Sequence, residues 1–230
     1  MEEGERIFSA SDERAQHIRK VLHLKEGDSF RCGIVNSMEG SALITSITDE
    51  GIAFTFTGEK DTSALYPVTL IVGQTRPICM RRILREAVSL GAGRIILPIT
   101  DLGEKSYSSS SLYTDGEYRK ILLDGAMQAG KTGVSECIIT SSVEEAVKKA
   151  ESDELLLLDN VIGAENLSAM NLSGRSVTLA IGPERGWSAR ERAYFIGKGF
   201  KPTLLGSRIL RTETAVSASL AVALSRMGLL

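Results

Sequence analysis

Apolar positions change their spacing twice along the 230 residues of this chain. From Ser11 to Val21 they recur at Ala15, Ile18, Val21 and Leu22, the three-to-four spacing of one helical face. Three short runs follow, Phe30 to Val35, Ala42 to Ile47 and Ile52 to Phe56, in which β-branched and aromatic residues alternate or cluster. Turn-prone segments, Asn36 to Gly40 and Asp49-Glu50-Gly51, separate them. This part predicts a small β-barrel or sheet. The polar stretch Gly58 to Ser63 then leads to Pro67 at the head of a new apolar run, which places a domain boundary between residues 66 and 67.

Beyond that point the rhythm is strand, helix, strand, helix. Strands are expected over Val68 to Val72, Arg94 to Ile99, Glu136 to Thr140, Glu154 to Asp159, Val177 to Ile181 and Pro202 to Leu205. Helices are expected over Ile78 to Leu90, Glu117 to Gln128, Val143 to Glu151, Ala189 to Lys198 and Thr212 to Met227. Alternation of this kind predicts an α/β domain over residues 67–230, a parallel sheet covered on both faces. Ser106 to Ser111 reads as a polar loop.

Composition narrows the function without naming it. Apolar residues make up 43% and charged ones 24%, as in ordinary globular proteins. The longest purely apolar run, Leu155 to Leu158, is far short of the roughly 20 residues that span a bilayer, and the acidic start lacks the basic region of a signal peptide, so a cytoplasmic protein is expected. Cys32, Cys79 and Cys137 are odd in number and widely spaced, which supports neither a disulfide framework nor a zinc site; they read as small buried apolar residues. Neither His17 nor His23 has a partner at ligand spacing, so no metal is expected. The net charge of -2 confines any nucleic-acid surface to local patches.

Two such patches stand out. His17, Arg19, Lys20, His23 and Lys25 gather cations in an otherwise acidic first domain, and Arg76, Arg81, Arg82 and Arg85 form a second strip, three of them on one broad helical face. Each strip reads either as a solvated face or as a phosphate contact.

Gly125 to Thr132 matches the phosphate-loop pattern G-x-x-x-x-G-K-[ST], and Leu155 to Asp159 matches the apolar run and aspartate of the same enzymes. The context argues against it. Lys131 and Thr132 would have to open a helix, yet the β-branched Cys137 to Thr140 follows, while Gly125 falls inside a helical pattern.

The turns after two late strands carry more. Ile181-Gly182-Pro183-Glu184-Arg185-Gly186-Trp187-Ser188 ends in a capping box, Ser188 with Glu191, and Leu205 to Ala215 leads into a helix that the Thr212 hydroxyl is expected to cap. Open α/β sheets bind ligands at such strand ends. Glu184, Arg208, Arg211 and Glu213 lie in or beside these turns, either as mutual ion pairs on a solvated rim or as groups that stabilise an anion and accept a hydrogen bond.

IGPERGWS, LLGSRILRTETA and HIRKVLHLKEGD together resemble the RsmE family of 16S ribosomal RNA uridine N3-methyltransferases. The likeness spans essentially the whole chain. It implies a PUA-like, RNA-binding β-barrel over residues 1–66 and a SPOUT-type methyltransferase domain over 67–230 whose C-terminal elements form a trefoil knot. It also implies a homodimer, S-adenosyl-L-methionine as cofactor, and 16S rRNA or the small ribosomal subunit as partner.

Carried over residue by residue, the resemblance puts Ile181, Gly182, Pro183, Glu184, Gly186, Leu205, Gly206, Ile209, Leu210 and Ala215 around the cofactor. Arg208 becomes the group that stabilises the uridine as it loses its N3 proton, with Glu184 as the proton acceptor. His17, Arg19, Lys20, Lys25, Arg76, Arg82, Gln128 and Lys131 become RNA contacts. The chain departs from the family at Arg185, where a glycine is usual, and at Met127 to Lys131, where Glu-Gln-Ser-Gly-Arg is usual. Ser89-Leu90-Gly91 stands in place of Glu-Leu-Gly, and His23 in place of an arginine. Arg185 either strains a position that needs positive φ or adds a contact. The residues leave three other readings: a methyltransferase of this fold with a different RNA target, a catalytically idle RNA-binding module, and the phosphate-loop NTPase.

Overall fold

The computed structural model describes residues 3–230, with the Glu3 side chain left aside. The chain divides into two compact units, residues 1–64 with 130–133, and residues 65–129 with 134–230. The second unit begins at Leu65, two residues ahead of the expected boundary at 66/67. Tyr66 already belongs to the second unit, because it opens a strand and pairs with Ala92, and Gly130–Gly133 belong to the first.

The first unit contains β1 (Glu3–Ser9), α1 (Glu13–His17), β2 (Ser29–Gly33), β3 (Met38–Thr48) and β4 (Gly51–Asp61), its antiparallel sheet ordered β1-β4-β3-β2. The sheet curls: Phe8 of β1 and Phe30 of β2, from opposite edges, both pack on Phe54 of β4, with ring centroids 4.6 and 5.5 Å away. Aromatic and β-branched side chains on one face make this a barrel-like core. Gly130–Gly133 add to it through hydrogen bonds: Asn36 N–H donates to Thr132 O at 2.8 Å, and the Thr132 hydroxyl donates to Ser37 O at 2.5 Å.

One expected helix changes character. Asp12 caps α1 by accepting the Arg14 N–H, but from Ile18 to Leu22 the coil widens to a π-helical turn that ends on His23 at φ 52°. In this turn Ile18 stays in the core while the Arg19 guanidinium donates to the carbonyls of Thr48 and Gly51. The apolar spacing could not distinguish this from a continuous α-helix, since Ile18 is buried in either.

The second unit contains β5 (Tyr66–Val72), α2 (Pro77–Ser89), β6 (Ala92–Pro98), α3 (Ser111–Thr114), α4 (Glu117–Gln128), β7 (Glu136–Thr140), α5 (Val143–Val147), β8 (Glu154–Leu158), β9 (Glu165–Asn166), β10 (Val177–Ile181), α6 (Ala189–Gly197), β11 (Lys201–Leu204) and α7 (Thr212–Met227). Seven strands form one parallel sheet in the order β7-β6-β5-β10-β8-β11-β9. Successive strand side chains point to opposite faces. Thus Val68, Leu70 and Val72 of β5 meet α2, α4 and α7, while Ile71 and Ala180 meet α5, α6 and Trp187. All five residues of β10 are buried, as a central strand covered on both faces requires.

The connectivity decides where a ligand can bind. The chain builds outward from β5 to β7, crosses to β8, and returns to insert β10 between β5 and β8. Connections on either side of β10 thus leave in different directions, and the crevice beyond its carboxyl end is where open α/β sheets take ligands.

Candidate active site

Beyond β10, the turn of residues 182–188 is folded tightly on itself. Gly186 takes φ 69° and donates its N–H to Pro183 O at 2.8 Å; a Cβ on Gly182 would lie 2.9 Å from the Gly186 Cα. Both glycines are therefore required by backbone geometry. Arg185 does not take positive φ, because Gly186 carries the left-handed conformation; it is exposed and unstrained.

This turn is anchored from three sides. Glu191, 0% exposed, accepts the Ser188 N–H through Oε2 at 2.8 Å and the Asp101 N–H through Oε1 at 2.8 Å. The capping box thereby extends to the loop after β6. Asp101 reciprocates by accepting from the Ser188 hydroxyl at 2.5 Å and from Arg190 at 2.7 and 3.0 Å. These donors hold the Asp101 carboxyl below the ordinary aspartate range, Arg190 most strongly. On the second side, Glu184 Oε1 accepts the backbone N–H of Arg76 at 3.0 Å, tying the turn to the start of α2.

The third anchor corrects an expectation. Arg211, not Thr212, is the N-cap of α7, and no side chain caps the helix. The Thr212 hydroxyl instead donates to Gly182 O at 3.2 Å, so the two glycine turns are joined directly.

The second turn, residues 205–211, is open. None of the N–H groups of Gly206 to Arg211 donates to a described partner, Gly206 takes φ 109°, and the space its Cβ would enter is empty. Leu205 and Ala215 pack on the core, while Ile209 is 83% exposed. Unpaired donors beside exposed apolar side chains fit a ligand with a ring and polar groups. Of the ten positions expected around the cofactor, Ile181, Gly182, Pro183, Glu184 and Gly186 lie in the first turn or its strand. Leu205, Gly206, Ile209, Leu210 and Ala215 lie in the second or in α7.

The charged groups do not pair with one another. Arg208 and Arg211 are exposed and make no ion pair among the described residues. Of the expected RNA contacts in the first unit, His17, Lys20, Lys25 and Lys131 are exposed, whereas Arg19 spends its guanidinium on backbone carbonyls. In the second unit Arg76, Arg82 and Gln128 are exposed; Arg81, by contrast, is engaged in a two-point pair with Glu117 at 2.7 and 2.8 Å.

The phosphate-loop pattern dissolves in three dimensions. Gly125 lies inside α4, where a Cβ would sit 2.6 Å from Arg85 O, so it is a helix-packing glycine. No helix follows Thr132, and Asp159 accepts the N–H groups of Val161 and Ile162 and pairs with Arg192 at 2.7 Å. The three cysteines are unpaired and only partly buried, which corrects the expectation that they are buried; the desolvation that Cys137 does undergo pushes its thiol up to about 12. Among the described residues no cluster could hold a metal ion, and no helix is long and apolar enough to cross a membrane. Sequence reasoning missed the partners of Glu191 and Thr212, because Asp101 and Gly182 lie 90 and 30 residues away.

The RNA methyltransferase domain family matches residues 62–224. Ribosomal RNA small subunit methyltransferase E of Treponema pallidum is 37% identical over 226 residues, covering 95% of this chain and 85% of that one. The chain belongs to the RsmE family. A second member, from Borreliella burgdorferi, is 29% identical over 222 residues, with 96% and 93% covered. Among solved structures, the RsmE protein of Neisseria gonorrhoeae bound to S-adenosyl methionine superposes with a TM-score of 0.83 at 21% identity, over 97% of this chain and 92% of that one. A Legionella pneumophila protein in complex with the same cofactor gives 0.83 at 23% identity, again over 97% and 92%. These likenesses establish the shared fold.

Proposed function

We propose that this protein transfers a methyl group from S-adenosylmethionine to N3 of a uridine in 16S rRNA. The carrying observation is the pair of glycine turns at the carboxyl edge of β10 and β11, joined by Thr212 and carrying the motifs of the RsmE family. The second unit is then the SPOUT-type knotted methyltransferase domain, the first a PUA-like RNA-binding domain, and the working form a cytoplasmic homodimer. The cationic residues His17, Lys20, Lys25 and Lys131, with Arg76, Arg82 and Gln128, supply the RNA contacts, since each is exposed.

The cofactor supplies a methyl group already activated on a sulfonium, so the protein has to position the acceptor in line and help N3 lose its proton. The open N–H groups of residues 206–211 and the apolar Leu205, Leu210 and Ala215 hold the cofactor, with the tight turn 182–186 forming the facing wall. Arg208, without an ion pair, is free to stabilise charge developing on the uracil carbonyl oxygens as the proton leaves. Glu184 has one oxygen fixed by the Arg76 N–H and a second free to accept that proton.

The test is methyl transfer to small ribosomal subunits that lack the modification, followed by nucleoside mass spectrometry. N3-methyluridine in 16S rRNA is expected; a methyl on any other atom refutes the assignment. Arg208→Ala should lower kcat by about 100-fold with cofactor affinity near wild type, as loss of a group acting on transition-state charge does. Unchanged turnover removes Arg208 from the mechanism.

A further inference from the structure

The loop after β6 contains a polar group that neither glycine turn uses. Thr100 is 7% exposed, and its Oγ1 is fully buried with no hydrogen-bond partner. A buried hydroxyl left unpaired is costly, and its presence in a folded protein calls for a ligand or water. Thr100 lines a cavity of about 10 Å³ with Gln74, Ile99, Gly103, Glu104, Lys105 and Ser108. Gln74 is 4% exposed; its Nε2 donates to Leu97 O at 3.1 Å, which leaves its Oε1 and second N–H unpaired. Two buried polar side chains with spare capacity therefore share one small space.

That space adjoins the candidate cofactor turn. A Cβ on Gly73 would lie 2.5 Å from Pro183 Cδ and 3.1 Å from Thr100 Cγ2, so the bare Gly73 is flanked by the turn on one side and Thr100 on the other. The next residue, Asp101, is fixed to Ser188 and Glu191.

We propose that Thr100 and Gln74 form the subsite that receives one carbonyl oxygen of the target base, with the Thr100 hydroxyl donating to it. The inference rests on the proposed methylation of a uridine. Volume decides the binding mode: the cavity admits one oxygen atom and not a ring, so the ring stays outside while its carbonyl reaches in. In uracil N3 lies between two carbonyl groups, so gripping either oxygen fixes where N3 points. Thr100 and Gln74 are thus specificity-determining contacts.

Four proteins test this: wild type, Thr100→Val, Thr100→Ser and Gly103→Ala. A Cβ on Gly103 would lie 2.6 Å from Thr100 Oγ1, too close for the hydroxyl to keep its position, so Gly103→Ala fills the cavity and turns the hydroxyl away while keeping both polar side chains in the protein. Methyl transfer to unmodified small subunits gives kcat and KM, and the fluorescence of Trp187, the single tryptophan, follows cofactor binding. Thr100→Val and Gly103→Ala should each lower kcat/KM about tenfold or more, as loss of one buried hydrogen bond does, with cofactor affinity unchanged. Thr100→Ser should restore most of the activity. Because valine removes an unpaired hydroxyl, thermal stability should be retained, and a merely structural role would leave the kinetics untouched. Wild-type kcat/KM in Thr100→Val overturns the subsite, and so does wild-type kcat/KM in Gly103→Ala should the valine variant fail to fold. If wild-type protein methylates no subunit, the proposed function itself falls and the subsite with it, an outcome independent of either variant.

Discussion

Replacing Glu191 by glutamine should destabilise the second unit by about 3 kcal/mol. The carboxylate is 0% exposed and accepts two backbone N–H groups, from Ser188 and Asp101, at 2.8 Å each. An amide has one acceptor oxygen, so one of the two N–H groups would face an NH2 group, in a place water does not reach. The loss is one charge-assisted hydrogen bond, about 1.5–3 kcal/mol, together with the cost of leaving a buried donor unpaired. At about 2–4 °C per kcal/mol for a chain of this size, the melting transition should fall by about 6–12 °C. Trp187 reports it well, being 1% exposed and packed edge-on against Phe195 of α6, the helix whose first turn holds Glu191, with ring centroids 4.8 Å apart. Glu191→Ala removes both acceptors and leaves a cavity, so it should cost more than the glutamine change. A shift below about 2 °C for Glu191→Gln would show that the buried carboxylate contributes little, and would refute the view that it clamps the β6 loop to the turn after β10.

Two further outcomes follow from packing and charge. Gly125→Ala should destabilise by about 2 kcal/mol or more in chemical denaturation, despite alanine's helix propensity, because the new methyl meets Arg85 O and α2 must move; a stabilised variant would contradict the close helix contact. Asp101 has a depressed folded-state value, so its contribution is complete above the unfolded aspartate range and is lost as pH falls through the folded one. Acid unfolding below about pH 4 should accordingly be less steep in Asp101→Asn than in wild type, and identical slopes would count against the Arg190 pairing.

Much of the second unit was legible in the sequence because its cues are local. The structure reproduces the expected limits of β7, β10, α4 and α7, where apolar spacing changes cleanly at a turn residue or cap. Helix α5 stops at Val147 and not at Glu151, and β1 was missed, since Glu3 to Ser9 is charged in its first half, has only Ile7 and Phe8 as apolar cues and gains strand character only by pairing with β4. The capping box could be seen in four residues, but its link to Asp101 could not, because nothing local marks a partner 90 positions away. Likewise Thr212 had the composition of a cap and turned out to be a tie between two turns. The resemblance to a phosphate loop misled for the same reason: its two glycines fit a string pattern, while Gly125 serves helix packing and Gly130–Gly133 belong to the first unit.

That discontinuity bears on how the protein is made. The first unit includes Gly130–Gly133, held by the Thr132 hydrogen bonds to Asn36 and Ser37 and a hydroxyl contact with Thr62 at 3.1 Å. An N-terminal unit usually finishes folding while the rest of its chain is still being synthesised. Here the ribosome must deliver residue 133, and with it α2, β6 and α4 of the second unit, before the first is complete. The order of synthesis therefore couples two units that their sheets would otherwise allow to form independently, and a fragment cut at residue 64 is an unfinished one.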